Sequence, residues 1–219
     1  MTNWDELAPP WQACMELAWE AYCDDCIPIG AVVTDAGGNI LSRGRNRIYR
    51  KATAHGHTRN DQLAHAEMEA LGSPAFDHTN ANTCVLYTTT EPCPMCLGAF
   101  YMSGVRTLHY ASREPWAGSV NLLNKTWYLS RKPIKVHHPF SPTLELIIMG
   151  LMIEQDLTRY NGELPPGVWG SLYKRWSTVV PPCLPFGKML YEMRVLQSLR
   201  TAQASASEMF TAAASKVKI

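Results

Sequence analysis

The sequence predicts an α/β layered domain, and two observations carry that reading. Across most of residues 1–160, short apolar runs of strand character alternate with segments of helical periodicity. The chain is also long and apolar enough, at 219 residues and 46% hydrophobic with 18% charged, to bury a core without disulfide or metal staples. Its composition lies far from the low-hydrophobicity, high-charge pattern of disorder, so a metal here is expected to serve catalysis rather than folding.

Pro9 and Pro10 precede an apolar rhythm at Trp11, Cys14, Leu17, Ala18, Ala21 and Tyr22, an amphipathic helix that opens on proline. Ile29 to Thr34 and Ile40 to Ser42 flank Asp35-Ala-Gly-Gly-Asn39 and read as a β-hairpin. Arg43 to Ala64 is polar, rich in Arg and His and without sustained periodicity, and reads as a long loop. Then follow a helix at His65 to Leu71, a strand at Thr83 to Thr89, a helix at Pro94 to Ser103 and a strand at Val105 to Ala111. The reading continues with a helix at Ser119 to Leu129, a short strand at Ile134 to His138 and a helix at Pro142 to Leu157 capped by Ser141. Residues 1–160 are expected to form one domain. Residues 161–219 are expected to form a C-terminal extension, with proline-rich texture, one amphipathic helix from Lys188 to about Gln203, and a frayed end from Ala204.

Charge narrows the possible partners. Twenty Lys+Arg against nineteen Asp+Glu give a net charge of +1, without the broad basic footprint of a general nucleic-acid binder. Residues 1–155 hold 12 basic and 15 acidic side chains and the remainder 8 and 4, so the tail is mildly basic. The N-terminus lacks the basic start and apolar core of a signal peptide, and the longest apolar run, Leu146 to Ile153, is too short to span a bilayer. A cytoplasmic location with no membrane partner is expected. The seven cysteines are then expected to be reduced, free to act as ligands, nucleophiles or core residues.

Two short motifs carry chemistry: His65-Ala66-Glu67 and Pro92-Cys93-Pro94-Met95-Cys96, with the Thr83 to Thr89 strand between them. They supply one imidazole and two thiolates. Three N/S ligands satisfy a catalytic Zn2+ while keeping its fourth tetrahedral position for water, whereas four protein ligands would close the site. Cys93 and Cys96 lie at the start of a predicted helix, where unpaired N–H groups and the positive dipole end favour thiolate. Glu67, two residues beyond His65, is placed to handle the water's protons without ligating. A lone CxxC is usually core or redox, and a lone His-x-Glu is usually solvated; together, in this order and on strand–helix junctions, they point to a hydrolytic site.

At these residues the chain resembles the cytidine/deoxycytidylate-type zinc deaminase superfamily, whose signature is H-x-E followed by P-C-x-x-C. Pro28 to Val33, Gly44-Arg45-Asn46-Arg47, Ala64 to Glu67 and Leu86 to Ala99 are similar to the branch of guanine deaminases, tRNA adenosine deaminases and fungal cytosine deaminases. The resemblance covers about Trp11 to Gln155. It implies a three-layer α/β/α sandwich around a five-stranded mixed sheet, a homodimer, and one catalytic zinc per chain held by His65, Cys93 and Cys96. It also implies Glu67 as proton carrier, Asn46 as a hydrogen-bond partner of the substrate, and the Ala66 backbone N–H as a further contact to the base.

The chain departs from that pattern around the substrate. Eighteen residues separate Asn46 from His65, among them His55 and His57, which belong either to a lid or specificity loop or to a solvated excursion. Trp116 follows the fourth strand and either stacks on the base or packs into the core or a dimer contact. Cys23 and Cys26 form a second CxxC without a partner pair, and Cys14, Cys84 and Cys183 read as core residues. Lys174, Arg175, Lys188, Arg194 and Arg200 are too sparse for a phosphate-tracking stripe. The expected activity is therefore deamination of a free nucleobase or nucleoside, with a guanine-type purine favoured. A tRNA adenosine, cytosine or cytidine substrate and a non-catalytic zinc-binding subunit are the alternatives.

Overall fold

A computed structural model describes residues 3–49, 62–138, 141–165 and 167–217, without the side chains of 168–170. His55 and His57 lie outside the described residues. Five strands form one sheet in the order β2-β1-β3-β4-β5: β1 Gly30–Thr34, β2 Ile40–Arg45, β3 Val85–Thr90, β4 Thr107–Ser112 and β5 Lys135–His137. β1 pairs antiparallel with β2 and β3, while β3–β4 and β4–β5 are parallel, so the sheet is mixed. The hairpin turn forms as expected, with Asp35 Oδ1 accepting from Gly37 N at 2.8 Å and Asn39 N at 2.9 Å, and with Gly38 at φ +85°.

Every residue of β1 is buried because helices cover both faces of the sheet. Ala31 and Val33 face one core with Leu86, Leu108 and Tyr110, closed by α2 (Ala66–Leu71) and α3 (Pro94–Ser103). Val32 and Ala111 face the other, closed by α1 (Pro9–Cys23) and α4 (Pro142–Arg159). This alternation along single strands produces the three-layer α/β/α arrangement. The Ser141 cap is present, its hydroxyl accepting from Leu144 N at 3.0 Å. No helix among the described residues is long and apolar enough to cross a membrane.

Residues 119–129 correct the sequence reading. They form a short 3-10 turn at Val120–Leu122 and further turns, not a helix. Asn124 adopts a left-handed φ of +65°, and although Val120 and Leu123 pack on the core, Leu122 and Trp127 are 41% and 76% exposed, so no continuous apolar face is buried to hold a helix together.

The tail also differs from expectation. It contains α5 (Val168–Val179), α6 (Cys183–Glu192), α7 (Val195–Thr201) and α8 (Ala206–Ala214). The single helix expected from Lys188 breaks where Arg194 takes φ +52°. The end does not fray: Ser205 and Glu208 form a reciprocal capping box, and Met209, Phe210 and Ala213 are fully buried with α1 and α4. Helix α6 crosses α4 closely. A Cβ on Gly150 would lie 2.6 Å from the Phe186 ring, and one on Gly187 would lie 2.4 Å from Ile153.

On the α1/α4 side, Tyr87, His109 and His137 form a ladder of rings with centroids 4.7 and 4.4 Å apart. Burial, then the charge of His137, brings the His109 pKa down to about 4 from its ordinary 6.5. Between those values the unfolded chain binds a proton that the folded chain refuses, so this contribution to stability is complete above pH 6.5 and is lost as pH falls towards 4. Urea unfolding at pH 7 and pH 4.5 should therefore show a smaller acid-induced loss for His109→Gln than for the wild type. Equal losses in the two proteins would contradict this assignment.

Candidate active site

Because β1 runs against both β2 and β3, strands β2, β3 and β4 point the same way, and their C-terminal ends share one edge. Asn46 follows β2, Glu91-Pro92-Cys93 follows β3, and Arg113 to Ser119 follow β4. The carboxyl ends of strands in an open α/β sheet are the usual place for a ligand. Here the topology gathers there most of the chemistry-bearing residues read from the sequence.

The segment carrying His65 is tied to the same edge. Arg47 N donates to Ala64 O at 2.9 Å and Asn46 N to Ile29 O at 3.0 Å. His65 is the N-cap of α2 and Cys93 that of α3, so each ligand-bearing junction is a strand or loop turning into a helix. Gly44 lets α2 lie on β2: a Cβ there would fall 2.2 Å from Ala66 O and 2.4 Å from Ala70 N.

His65 Nδ1 lies 3.7 Å from Cys93 Sγ and 3.5 Å from Cys96 Sγ, and the three donor atoms all fall within 4.8 Å of one another. Tetrahedral bonds of ~2.0 Å to nitrogen and ~2.3 Å to sulfur would set donors about 3.5–3.8 Å apart. The triad fits zinc in donor type and in spacing. Among the described residues it is the only group of three or more His, Cys, Asp or Glu side chains so placed. The Cys93 thiol is pulled down to about 4 by a hydrogen bond from Cys96 and then by His65, against the opposing effect of burial. The Cys96 thiol is pushed far up by that same pairing and by burial. His65 is raised, chiefly by its contact with Cys93.

Glu67 is buried against the triad: its carboxyl is hydrogen-bonded to the Cys96 thiol, and its Oε1 accepts from Thr88 Oγ1 at 2.8 Å. Burial pushes its carboxyl above the ordinary carboxylate range. A carboxyl whose hold on a proton is strengthened in this way is suited to serve as both base and acid. Asn46 is fully buried; its Oδ1 accepts from Ile48 N at 3.2 Å, and its Nδ2 has no partner among the described residues. A buried amide donor without a partner is costly, so its natural complement is a ligand acceptor. Ala66 is the first residue of α2, where the backbone N–H has no intrahelical partner.

The match to known proteins follows this geometry. Residues 4–112 fit the model of the cytidine and deoxycytidylate deaminase zinc-binding region. This chain carries a zinc-type deaminase domain. Guanine deaminase from Bacillus subtilis is 37% identical over 89 residues, covering 40% of this chain and 51% of that protein. A tRNA(Ile)-lysidine synthase from Deinococcus deserti is 36% identical over 117 residues, covering 51% of this chain and 20% of that protein. The deaminase domain therefore spans about half of the first relative and about a fifth of the second. Further relatives are named as tRNA-specific adenosine deaminases and cytosine deaminases. Among solved structures, guanine deaminase from Nitrosomonas europaea superposes with a TM-score of 0.53 at 25% identity, over 68% of this chain and 84% of that one.

Within the deaminase domain the structure brings His65, Cys93, Cys96 and Glu67 together and sets Asn46 at the same sheet edge. Trp116, 40% exposed, stands in the loop after β4 rather than in the core. Thr88 escaped the sequence reading, although the run Thr88-Thr89-Thr90 on a strand leading into the cysteines was a legible sign that a hydroxyl would face the site.

Proposed function

We propose that this protein is a hydrolytic, zinc-dependent deaminase that replaces the exocyclic amino group of a nucleobase or nucleoside by oxygen and releases ammonia, with a guanine-type purine as the favoured substrate. The single observation carrying the reaction is the buried Glu67 carboxyl set beside the His65, Cys93, Cys96 triad. Zinc held by that triad supplies Lewis acidity that makes water a nucleophile near neutral pH.

The chain's own residues do the rest. Glu67 takes a proton from the attacking water, places one on the ring nitrogen beside the amino-bearing carbon, and gives one to the departing amine. Water and the amine are thereby converted to a carbonyl and ammonia with protons balanced. Thr88 fixes the carboxyl through its hydroxyl hydrogen bond. Asn46 donates its Nδ2 hydrogens to an acceptor on the base, and the Ala66 N–H holds a second. A pair of such chains forming a homodimer is part of this reading, as is a cytoplasmic setting.

The preference for a guanine-type purine is supported by the guanine deaminases of Bacillus subtilis and Nitrosomonas europaea among the similar proteins. The test is incubation of zinc-loaded protein with guanine, guanosine, adenine, adenosine, cytosine, cytidine and an unmodified tRNA, reading ammonia and product mass. Turnover of guanine alone is the expected result; turnover of tRNA alone would replace the substrate assignment. Asn46→Ala should raise KM about tenfold, the worth of one lost hydrogen bond to a buried donor, with a smaller change in kcat. An unchanged KM would remove Asn46 from the substrate contacts.

A further inference from the structure

The loop after β4, residues 113–120, lies beyond the region matched by the family model, yet it is built into the site. Glu91, two residues before Cys93, spends both carboxylate oxygens on it: Oε2 accepts from Glu114 N and Oε1 from Val120 N, each at 3.2 Å. Ser119 N donates to Pro92 O at 3.0 Å. Gly118 permits this approach, since a Cβ there would lie 2.5 Å from the Glu91 carboxylate and 2.4 Å from Glu114 O. The start of the loop is tied elsewhere, with Arg113 gripping the buried Glu145 of α4 through two guanidinium nitrogens at 2.8 Å.

A second tie comes from the C-terminal extension. Glu114 Oε1 accepts from Trp116 N at 2.9 Å and from the indole Nε1 of Trp176 at 2.8 Å. Trp176 belongs to α5 and is 2% exposed, packed in the core shared with α1 and α4. One carboxylate oxygen therefore joins α5 to the backbone of Trp116, in the loop that follows β4 at the C-terminal edge of the strands. Charge-assisted bonds of this kind are stronger and more directional than neutral ones.

We propose that Glu114 and Trp176 are positioning residues through which α5 holds the Trp116 loop against the base pocket and so sets how tightly the base is held, without touching the reacting atoms. This rests on the deaminase reading above. It assigns the extension a role in substrate affinity: the reacting groups all lie within the region matched by the family model, and the wall of the pocket is braced by a helix outside it. A loop misplaced by about 1 Å weakens substrate orientation even when the reacting groups are intact.

The test uses the zinc-loaded 219-residue chain with guanine as probe, comparing Trp176→Phe, which keeps an aromatic ring, though a smaller one, and loses the N–H, Glu114→Ala, which loses both bonds, and Glu114→Gln, which keeps an acceptor oxygen. Trp176→Phe and Glu114→Ala should raise KM about fivefold with kcat within about twofold of wild type, and Glu114→Gln should stay close to wild type. Amide hydrogen exchange should quicken in peptide 114–120 and not in 94–103, with zinc content unchanged. Unaltered exchange in 114–120, or a fall in kcat at constant KM, would overturn the proposal. If the wild type turned over no base, the deaminase reading would fail, and the exchange result alone would decide whether the tether holds the loop.

Discussion

Replacing Glu67 by Gln is expected to lower kcat about 10²- to 10⁴-fold, the range for loss of one general acid–base group, while the protein keeps its zinc. Gln has nearly the shape of Glu and retains an oxygen for the Thr88 hydroxyl bond, so the buried pocket stays filled and satisfied. What it loses is the capacity to carry a proton between water, ring and amine. The same side chain is assigned every transfer, so a single substitution interrupts all of them. A Glu67→Gln protein with near-normal kcat would mean that protons travel by another route, and zinc loss in that variant would mean that Glu67 ligates.

The second large effect concerns the metal. Cys96→Ala leaves two of three donors, and two ligands do not hold zinc against dialysis in the way that three convergent N/S donors do. Cys96 is fully buried, so removing its sulfur also opens a small cavity, but the packing loss of about 1 kcal/mol is minor beside the loss of the ion. Zinc content should fall from about one per chain to below about 0.1, with activity gone. Thermal stability, raised by added zinc in the wild type through binding to the native state alone, should no longer respond to zinc in the variant. Retention of stoichiometric zinc by Cys96→Ala would place the metal elsewhere.

Legibility along the sequence followed burial and periodicity. β1 was readable as a short apolar run leading into a turn, α1 because its apolar residues recur at helical spacing after Pro9 and Pro10, and α4 because Ser141 caps a continuous apolar run. The triad and Glu67 were readable because their spacing is dictated by a loop–helix junction at His65 and a strand–helix junction at Cys93. The run 119–129 misled because Val120, Leu122 and Leu123 mimic a helical face that the fold buries only in part, Val120 and Leu123 packing on the core while Leu122 stays exposed, and the Glu91 carboxylate claims the Val120 N–H that begins the turn.

The tail was hidden for a different reason. Pro165, Pro166, Pro181 and Pro182 gave it the texture of a loop, yet Leu172, Tyr173 and Trp176 recur at helical spacing and pack on α4's side of the sheet. The Ser205–Glu208 capping box was present in the sequence as a start signal for α8. Of the long-range ties at the site, Trp176 to Glu114 has no local pattern, and the threonine run that marks Thr88 does not name Glu67 as its partner. The two ties span 62 and 21 residues and exist only once the sheet is assembled.

Product mass in isotopically labelled water tests the central claim most directly. The account expects the product of zinc-loaded protein to be about 1 Da heavier than the amino substrate in ordinary water and about 3 Da heavier in H2¹⁸O, with one ammonia released per product and formation slowed at least about 10²-fold in Glu67→Gln. Ammonia release without ¹⁸O in the product, or equal turnover by Glu67→Gln, would contradict hydrolytic deamination at this site.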